Sequence, residues 1–342
     1  MAYYNGSFSR VPELFRPQLQ WPVLPDMGGG QEWSGRRRPI AVRPENMHQA
    51  ASEQRKMDIY YVDGEFVPAD RAVMPVNDLA LLRGLGAFEL LRTYSGRPFA
   101  LEEHLCRLEH SIQKMGLALP WSRDALIHIV LETLARNRGN AHGESNIRII
   151  VTAGSSPDFM TPQGQPRLLV LVSAMPRHPE SWYTEGVKIT TMHNRRILPG
   201  AKSINYLSAT IAMKRAREAG AVESLYVDRD ELVYECTTSN IFLFQGTTLV
   251  TPGRKILSGI TRAFILELAQ GFFTVEVRDT TLEEVLSADE VFISGTNKGV
   301  VPVVRVDDTP IGDGRPGPHT RTLMQAVSER AAAHASGWHP AT

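Results

Sequence analysis

"PGAKSINYLSATIAMKRAREAG", residues Pro199 to Gly220, holds one lysine at the mouth of a helix-like segment and several basic residues at its far end. Ile204, Leu207 and Ile211 recur at helical spacing, and Gly220 supplies a C-terminal stop. Lys214 and the arginines beside it complement the helix dipole. Lys202 does not, because that dipole disfavours a cation at a helix start. Behind a Pro-Gly turn and next to an apolar helix face, an amine loses water. A partly desolvated amine is the neutral nucleophile that forms an imine with a carbonyl. The competing reading is a solvated surface lysine, and the flanking segments decide between the two.

Downstream, two strand pairs follow. "ESLYVDRDELVYE" (223–235) turns at Arg229-Asp230, and "NIFLFQGTTLVTP" (240–252) turns at Gln245-Gly246. A helix is expected after "LSGITR" (257–262), then the strand "TVEVRD", a short helix "LEEVLSA" and the strand "DEVFIS", which runs into Gly295-Thr296-Asn297. A closing helix is expected over 319–335.

Upstream, "VKITTMH" (187–193) reads as a strand, and "PRHPESWYTEG" (176–186) as a linker. Before the linker come two helices and four strand segments. One helix carries the stripe Leu101, Leu105, Leu108, Ile112 and Met115 and closes at Gly116. The other follows Ser122, with Leu126, Ile129, Val130, Thr133 and Leu134 inward. The strand segments are "IYYVDGEFV", folded at Asp63-Gly64, "AFELLRTYSGRPFAL", folded at Ser95-Gly96, "NIRIIVTAG" and "RLLVLVSAM". Strands mixed with helices in two units give an α+β class rather than a regular βαβ repeat. The expected division is an arm over 1–56, a small α+β domain over 57–175, the linker 176–186, and a larger domain over 187–342.

Composition narrows the function. In 342 residues, Lys+Arg and Asp+Glu both count 37, so zero net charge gives no electrostatic reason to expect nucleic acid or an anionic membrane as partner. No apolar run reaches the length of a membrane span, and the start lacks a secretory pattern. The two cysteines, Cys106 and Cys236, both fall inside apolar patterns, which fits a reducing, cytoplasmic setting. The sequence offers no metal-ligand cluster.

Four further features have chemical content. Glu235 ends a strand and precedes Thr237, Thr238, Ser239 and Asn240. An acid so placed pairs with a protonated heterocyclic nitrogen, as a pyridoxal cofactor needs to act as an electron sink. "SGIT" (Ser258, Gly259, Ile260, Thr261) lies against a helix start, and "SGTN" (Ser294 to Asn297) follows a strand; close backbone, a hydroxyl and free N–H groups suit a phosphate. Each also reads as an ordinary turn. Arg107 projects off its helix's apolar stripe, where a solvated arginine is the default.

Together, "AKSINYLSATIAMKRAREAG", "VYECTTSNIFLF", "ILSGITRAFILELA" and "DEVFISGTNKGVVPVVRVD", with "FALEEHLCRLEHSIQKMGLALP" before them, resemble the class IV, or fold-type IV, pyridoxal-phosphate aminotransferases. That family includes branched-chain and D-amino acid aminotransferases and aminodeoxychorismate lyase, and the likeness spans about 59–332. It implies that Lys202 is the Schiff-base lysine and proton shuttle, and that Glu235 is the partner of the pyridine nitrogen. Arg107, Gly259, Ile260, Thr261 and Thr296 would form the phosphate cradle, with Thr238 and Ser239 near the ring. Two domains would enclose pyridoxal 5'-phosphate in a homodimer. The substrates would be an amino acid and a 2-oxo acid such as 2-oxoglutarate.

Departures bear on the donor. The spacing in "KSINY" is closer to the D-amino acid and lyase branches than to enzymes with a glycine pair after the lysine. Yet the Arg-x-His clamp of well-known D-amino acid enzymes is here Asp158, Phe159 and Met160. Phe88, Arg92, Tyr206 and Asn297 are the substrate-facing candidates, with Arg92 for a carboxylate, since strand alternation groups Phe88, Leu90, Arg92 and Tyr94. A branched-chain-type L-amino acid is the expected donor. A D-amino acid donor, a lyase releasing pyruvate, and a cofactor-free binding protein of the same fold are the alternatives.

Overall fold

The computed structural model describes residues 57–140 and 143–337, with side chains as far as residue 333. The expected arm over 1–56 lies outside the described residues. The first part of the chain runs β1 (Ile59–Val62), β2 (Glu65–Pro68), α1 (Leu79–Arg83), β3 (Gly86–Tyr94), β4 (Arg97–Pro98), α2 (Leu101–Lys114), α3 (Arg123–Arg136), β5 (Ser145–Thr152) and β6 (Arg167–Ala174). A short helix, α4 (Ser181–Thr184), sits in the segment read as a linker.

The six strands form one antiparallel sheet in the order β2-β1-β6-β5-β3-β4. The stripe of α2 closes one face: Leu101, Leu105, Leu108 and Ile112 join Leu126 and Val130 of α3 over Ala87, Leu91, Ile147 and Val170. Burying such branched side chains removes about 1.5–3 kcal/mol of unfavourable hydration each. Ser122 caps α3, its Oγ accepting from the Ala125 N–H.

The second part continues with β7 (Val187–His193), α5 (Leu207–Glu218), β8 (Glu223–Val227), β9 (Leu232–Cys236), β10 (Asn240–Gln245), β11 (Thr248–Thr251), α6 (Ile260–Ala269), β12 (Thr274–Val277) and β13 (Thr280–Thr281). It ends with α7 (Leu282–Leu286), β14 (Glu290–Gly295), β15 (Gly299–Val306), β16 (Thr309–Pro310) and α8 (Pro318–Gly337). A ten-stranded mixed sheet runs β12-β11-β10-β14-β15-β7-β8-β9-β13, with β16 on β15. An extra pairing of Glu235 with Asn240 brings β9 back onto β10, so the middle strands curl into a ring. No helix among the described residues is long and apolar enough to cross a membrane.

Several expectations change. The helix after Lys202 begins at Leu207, which leaves Ile204 outside it; Leu207 and Ile211 are 71% and 43% exposed. The buried face of α5 is Ala209, Ala212 and Ala216. Small side chains let the helix approach β8 closely enough for Ser224 Oγ to donate to the Ala212 carbonyl at 3.3 Å. Helix α6 starts at Ile260, inside "LSGITR" rather than after it. The second hairpin turns at Gly246-Thr247, because Gln245 still pairs with Thr248. Strand β15 went unread because Pro302 interrupts its pattern; Pro302 pairs with Phe292 within the sheet. Cys106, expected in an apolar pattern, lies on the exposed side of α2, whereas Cys236 is buried.

Candidate active site

Lys202 stands where the two sheets meet. Its N–H donates to Ser111 Oγ of α2 at 3.0 Å, and its carbonyl accepts from the Phe88 N–H of β3 at 2.9 Å. Ile204 N–H adds a bond to the Gly86 carbonyl at 3.0 Å. The lysine segment is thus stitched along β3, and its side chain enters a cavity of about 470 Å³. Desolvation, reinforced by the charges of Arg107 and Arg196 and opposed by Tyr206 and Glu89, lowers the Lys202 pKa from its ordinary value. The amine is more easily neutral here than in water, as a nucleophile requires.

The same cavity is lined by Phe88, Arg107, Tyr206, Glu235, Thr238, Ser239, Gly259, Ile260, Thr261, Thr296 and Asn297. Residues from α2, β3, β9, β10, α6 and the turn after β14 therefore converge on one lysine. Arg92 does not. Its guanidinium rests 4.1 Å from the Tyr94 ring centroid and lines an adjoining depression that shares Asn297 and His178 with the main cavity.

Arg107 is 9% exposed, which overturns the surface default. Its Nε and Nη2 grip both oxygens of the buried Glu89 at 2.8 and 2.7 Å, and Nη1 donates to the Ser258 carbonyl at 3.0 Å. Of five guanidinium N–H groups, this leaves two for an anion. Burial by itself would raise the Glu89 carboxyl. The Arg107 charge and hydrogen bonds from Arg107 and His104 prevail and hold it at about 2. Burial also lowers His104, so the neutral ring donates from Nδ1 to Glu89 at 2.7 Å.

Arg107 thereby pins the turn that opens α6. Gly259 is the N-cap of that helix, and a Cβ there would come 2.1 Å from Asn240 Oδ1, so only glycine admits this approach. Ile260 and Thr261, whose N–H groups at the start of α6 have no partners within the helix, line the cavity with Arg107. A helix start beside a guanidinium is a setting that can hold an anion such as a phosphate. Ser294 Oγ, buried and unpartnered on the same wall, is one more polar atom without a protein ligand.

At the far wall, Glu235 is 2% exposed. Its Oε1 accepts from Arg196 Nε at 2.5 Å and its Oε2 from the Leu257 N–H at 3.1 Å. Burial works against the Arg196 charge, but Glu235 more than restores it and raises the guanidinium pKa. Neither Arg196 nor Glu89 was singled out from the sequence. Glu89 had a signal: on β3 it alternates with Ala87 and Leu91 on the buried face, where a carboxylate needs a cation. Arg107, off the apolar stripe of the next helix, is that cation.

Arg148 of β5 was also missed. It lines the cavity with its guanidinium 5.1 Å from the Phe88 ring centroid, while Lys202 Nζ lies 4.6 Å from the same centroid. Arg107, Arg196 and Lys298 each face a buried glutamate. Among the described residues Arg148 has no acidic partner, so its charge is not already neutralised by a side chain of the cavity.

Comparison with known proteins agrees with this geometry. The family model "Amino-transferase class IV" matches residues 86–306, which include all of these site residues. The chain belongs to the class IV aminotransferases. It is similar to a putative branched-chain-amino-acid aminotransferase of Methanocaldococcus jannaschii, 34% identical over 280 residues, covering 79% of this chain and 95% of the relative. A D-alanine aminotransferase of Listeria monocytogenes is 31% identical over 276 residues, covering 78% and 94%. Among solved structures, a branched-chain amino acid aminotransferase from T.th. with pyridoxamine 5'-phosphate superposes with a TM-score of 0.76 at 28% identity, covering 83% of this chain and 98% of that one. A 4-amino-4-deoxychorismate lyase from Pseudomonas aeruginosa has a TM-score of 0.69 at 31% identity, covering 79% and 98%. The chain is a transaminase of fold-type IV.

Proposed function

We propose that the cavity holds pyridoxal 5'-phosphate and that the enzyme moves an amino group from a branched-chain-type L-amino acid to a 2-oxo acid such as 2-oxoglutarate, in two half-reactions. The observation that carries this reading is one desolvated amine, Lys202, standing between an acid held by an arginine and a helix start held by another. When bound, the cofactor supplies an aldehyde for the amine and a ring that takes up the electron pair released at the substrate Cα. Arg107 holds the phosphate with its two free N–H groups, alongside Ile260, Thr261 and Thr296. Glu235 faces the ring nitrogen, and Arg196 holds that carboxylate in place. Lys202 Nζ takes the proton from Cα and returns it on the cofactor side, since it is both near and able to be neutral. Phe88, Tyr206 and Asn297 shape the substrate space.

Arg148, rather than Arg92, is the arginine in position for a substrate carboxylate, because it lines the cavity beside Phe88. It supports a dicarboxylate acceptor. The D-amino acid reading draws support from the D-alanine aminotransferase relative. Against it, Asp158 caps its own loop, accepting from Ser156 Oγ and the Met160 and Thr161 N–H groups, and Phe159 and Met160 face outward.

Residues 57–175 and 187–342 act on this reading as two domains around the cofactor, joined by 176–186. A homodimer is supported by exposed Leu81, Ile197, Leu207 and Ile211, apolar side chains that one chain leaves uncovered. Two free cysteines suit a cytoplasmic setting.

A panel of L- and D-amino acids with 2-oxoglutarate and pyruvate tests the proposal. Transfer from L-leucine-type donors to 2-oxoglutarate is the expected result. Faster turnover of D-alanine replaces the L-donor reading, and pyruvate release from aminodeoxychorismate without amino transfer replaces the transaminase reading with a lyase.

A further inference from the structure

Lys298 lines the cavity just beyond the Ser294–Asn297 turn, yet none of the chemistry above uses it. Its ammonium contacts Glu223 and donates to Thr238 Oγ1 at 2.7 Å and Ser239 Oγ at 3.1 Å. Glu223, at the start of β8, is fully buried. Besides Lys298, it accepts from Thr237 Oγ1 at 2.8 Å, Thr238 N–H at 2.8 Å, Thr238 Oγ1 at 2.8 Å and Ser239 Oγ at 2.6 Å. One carboxylate thus collects every hydroxyl of the Thr237–Ser239 turn.

Each hydroxyl has a single proton. Thr238 and Ser239 direct theirs to Glu223 and accept from Lys298, so neither has a proton left for an anionic oxygen in the cavity. Their place near the ring is therefore not that of direct donors to an anion. Burial and the charge on Lys202 push the Lys298 ammonium down to about 7.

The two turns so joined carry different parts of the site. Glu235 lies just before the Thr237–Ser239 turn, and Thr296 lies in the turn that delivers Lys298. Antiparallel pairing of Asn240 with Ser294 joins β10 and β14 at the base of the two turns, and the side-chain contact extends that join beyond the ladder into the turns themselves. We propose that Glu223 and Lys298 are a positioning pair that locks the turn after Glu235 to the turn bearing Thr296, fixing the ring-facing acid and the phosphate-facing threonine relative to each other. This rests on the reading of the cavity as a pyridoxal-phosphate site.

The test titrates wild type, Lys298→Met, Glu223→Gln, Lys298→Arg and the Lys298→Met/Glu223→Gln double variant with pyridoxal 5'-phosphate. The visible band of the bound cofactor, its pH midpoint and the thermal midpoint are followed together. Each single neutralisation is expected to weaken cofactor affinity about tenfold and shift the pH midpoint, Lys298→Arg to stay within about threefold, and the double variant to lose less than the two singles combined. A pair that only stabilises the fold lowers the thermal midpoint and leaves affinity and pH midpoint at wild-type values; that result overturns the proposal. If a single variant does not fold, the double variant decides: weakened cofactor affinity in it supports the pair's role, and wild-type affinity overturns it; where both singles fold, strictly additive effects overturn it too. A wild-type protein that gives no visible band refutes the cofactor reading itself, and the pair's role with it.

Discussion

Helices α2 and α5 flank the same lysine and look alike in sequence, but they bury opposite kinds of surface. In α2 the large apolar stripe, Leu101, Leu105, Leu108 and Ile112, faces the sheet, as periodicity suggests. In α5 the large apolar residues Leu207 and Ile211 face outward, and three alanines make the contact with the core. Helical periodicity shows that a face is apolar. It does not show whether that face meets the chain's own core or another surface. The difference follows from what each helix must approach: α2 fills the broad space over a sheet, whereas α5 lies close to β8 to hold the lysine turn in place.

That contrast can be broken at several points. Lys202→Ala, before α5, removes the amine to which the proposed function gives both half-reactions, so transamination measured by 2-oxo acid release is expected to fall by at least about 10³-fold. Turnover near the wild-type rate removes Lys202 from the chemistry.

On the α2 side, Leu108→Ala leaves a cavity in a packed core and costs about 2–5 kcal/mol, read from the denaturant midpoint. A change of a few tenths would mean that the α2 stripe is no better buried than that of α5.

The Glu89–Arg107 pair beneath α2 makes an acid-side prediction. The Glu89 carboxyl lies at about 2 in the fold against 4.5 for the free group. A depressed carboxyl stabilises the fold fully above its unfolded pKa. That stabilisation, about 3 kcal/mol at most, is lost as pH falls from 4.5 towards 2. Glu89→Gln should flatten this limb of the stability curve, and superimposable acid limbs for the two proteins would contradict the assignment.

Ala212→Leu pushes a branched side chain into the close contact between α5 and β8 and should cost about 1–3 kcal/mol through overpacking. A neutral or stabilising effect would show that the alanine face has room to spare.

The smallest folding effect is expected for Leu207→Ser, within about 0.5 kcal/mol for a dissociated chain. Sedimentation should nonetheless show weaker self-association. A large loss of stability with unchanged sedimentation would place Leu207 in the core and refute the dimer contact.

Much of the site was legible because its chemistry is local in sequence. The "SGIT" and "SGTN" turns, the lysine behind Pro-Gly and the acid at a strand end each carry their backbone setting with them, and all line one cavity. Arg107 was reached through the family likeness alone, since an arginine off an apolar stripe has no local mark of burial. Arg196, Arg148 and the Glu223–Lys298 pair were not legible. Each gains its meaning from a partner distant in the chain, and no spacing rule connects residues that meet only when separate strands pair. Strand β15 escaped for the opposite reason, a local Pro302 that reads as a break but is tolerated once the strand is paired.

By itself the amino-acid sequence determined the alternation of strands and helices, the glycine turns that border the cavity and the lysine set before a helix, because these depend on short-range periodicity and backbone freedom. The tertiary structure alone decided which face of α5 is inside, which arginine is free to meet a carboxylate and how each buried charge is neutralised. The physical reason is that burial and electrostatic pairing depend on distance in space, and the fold creates those distances by bringing β3, α2, β9 and α6 around one amine.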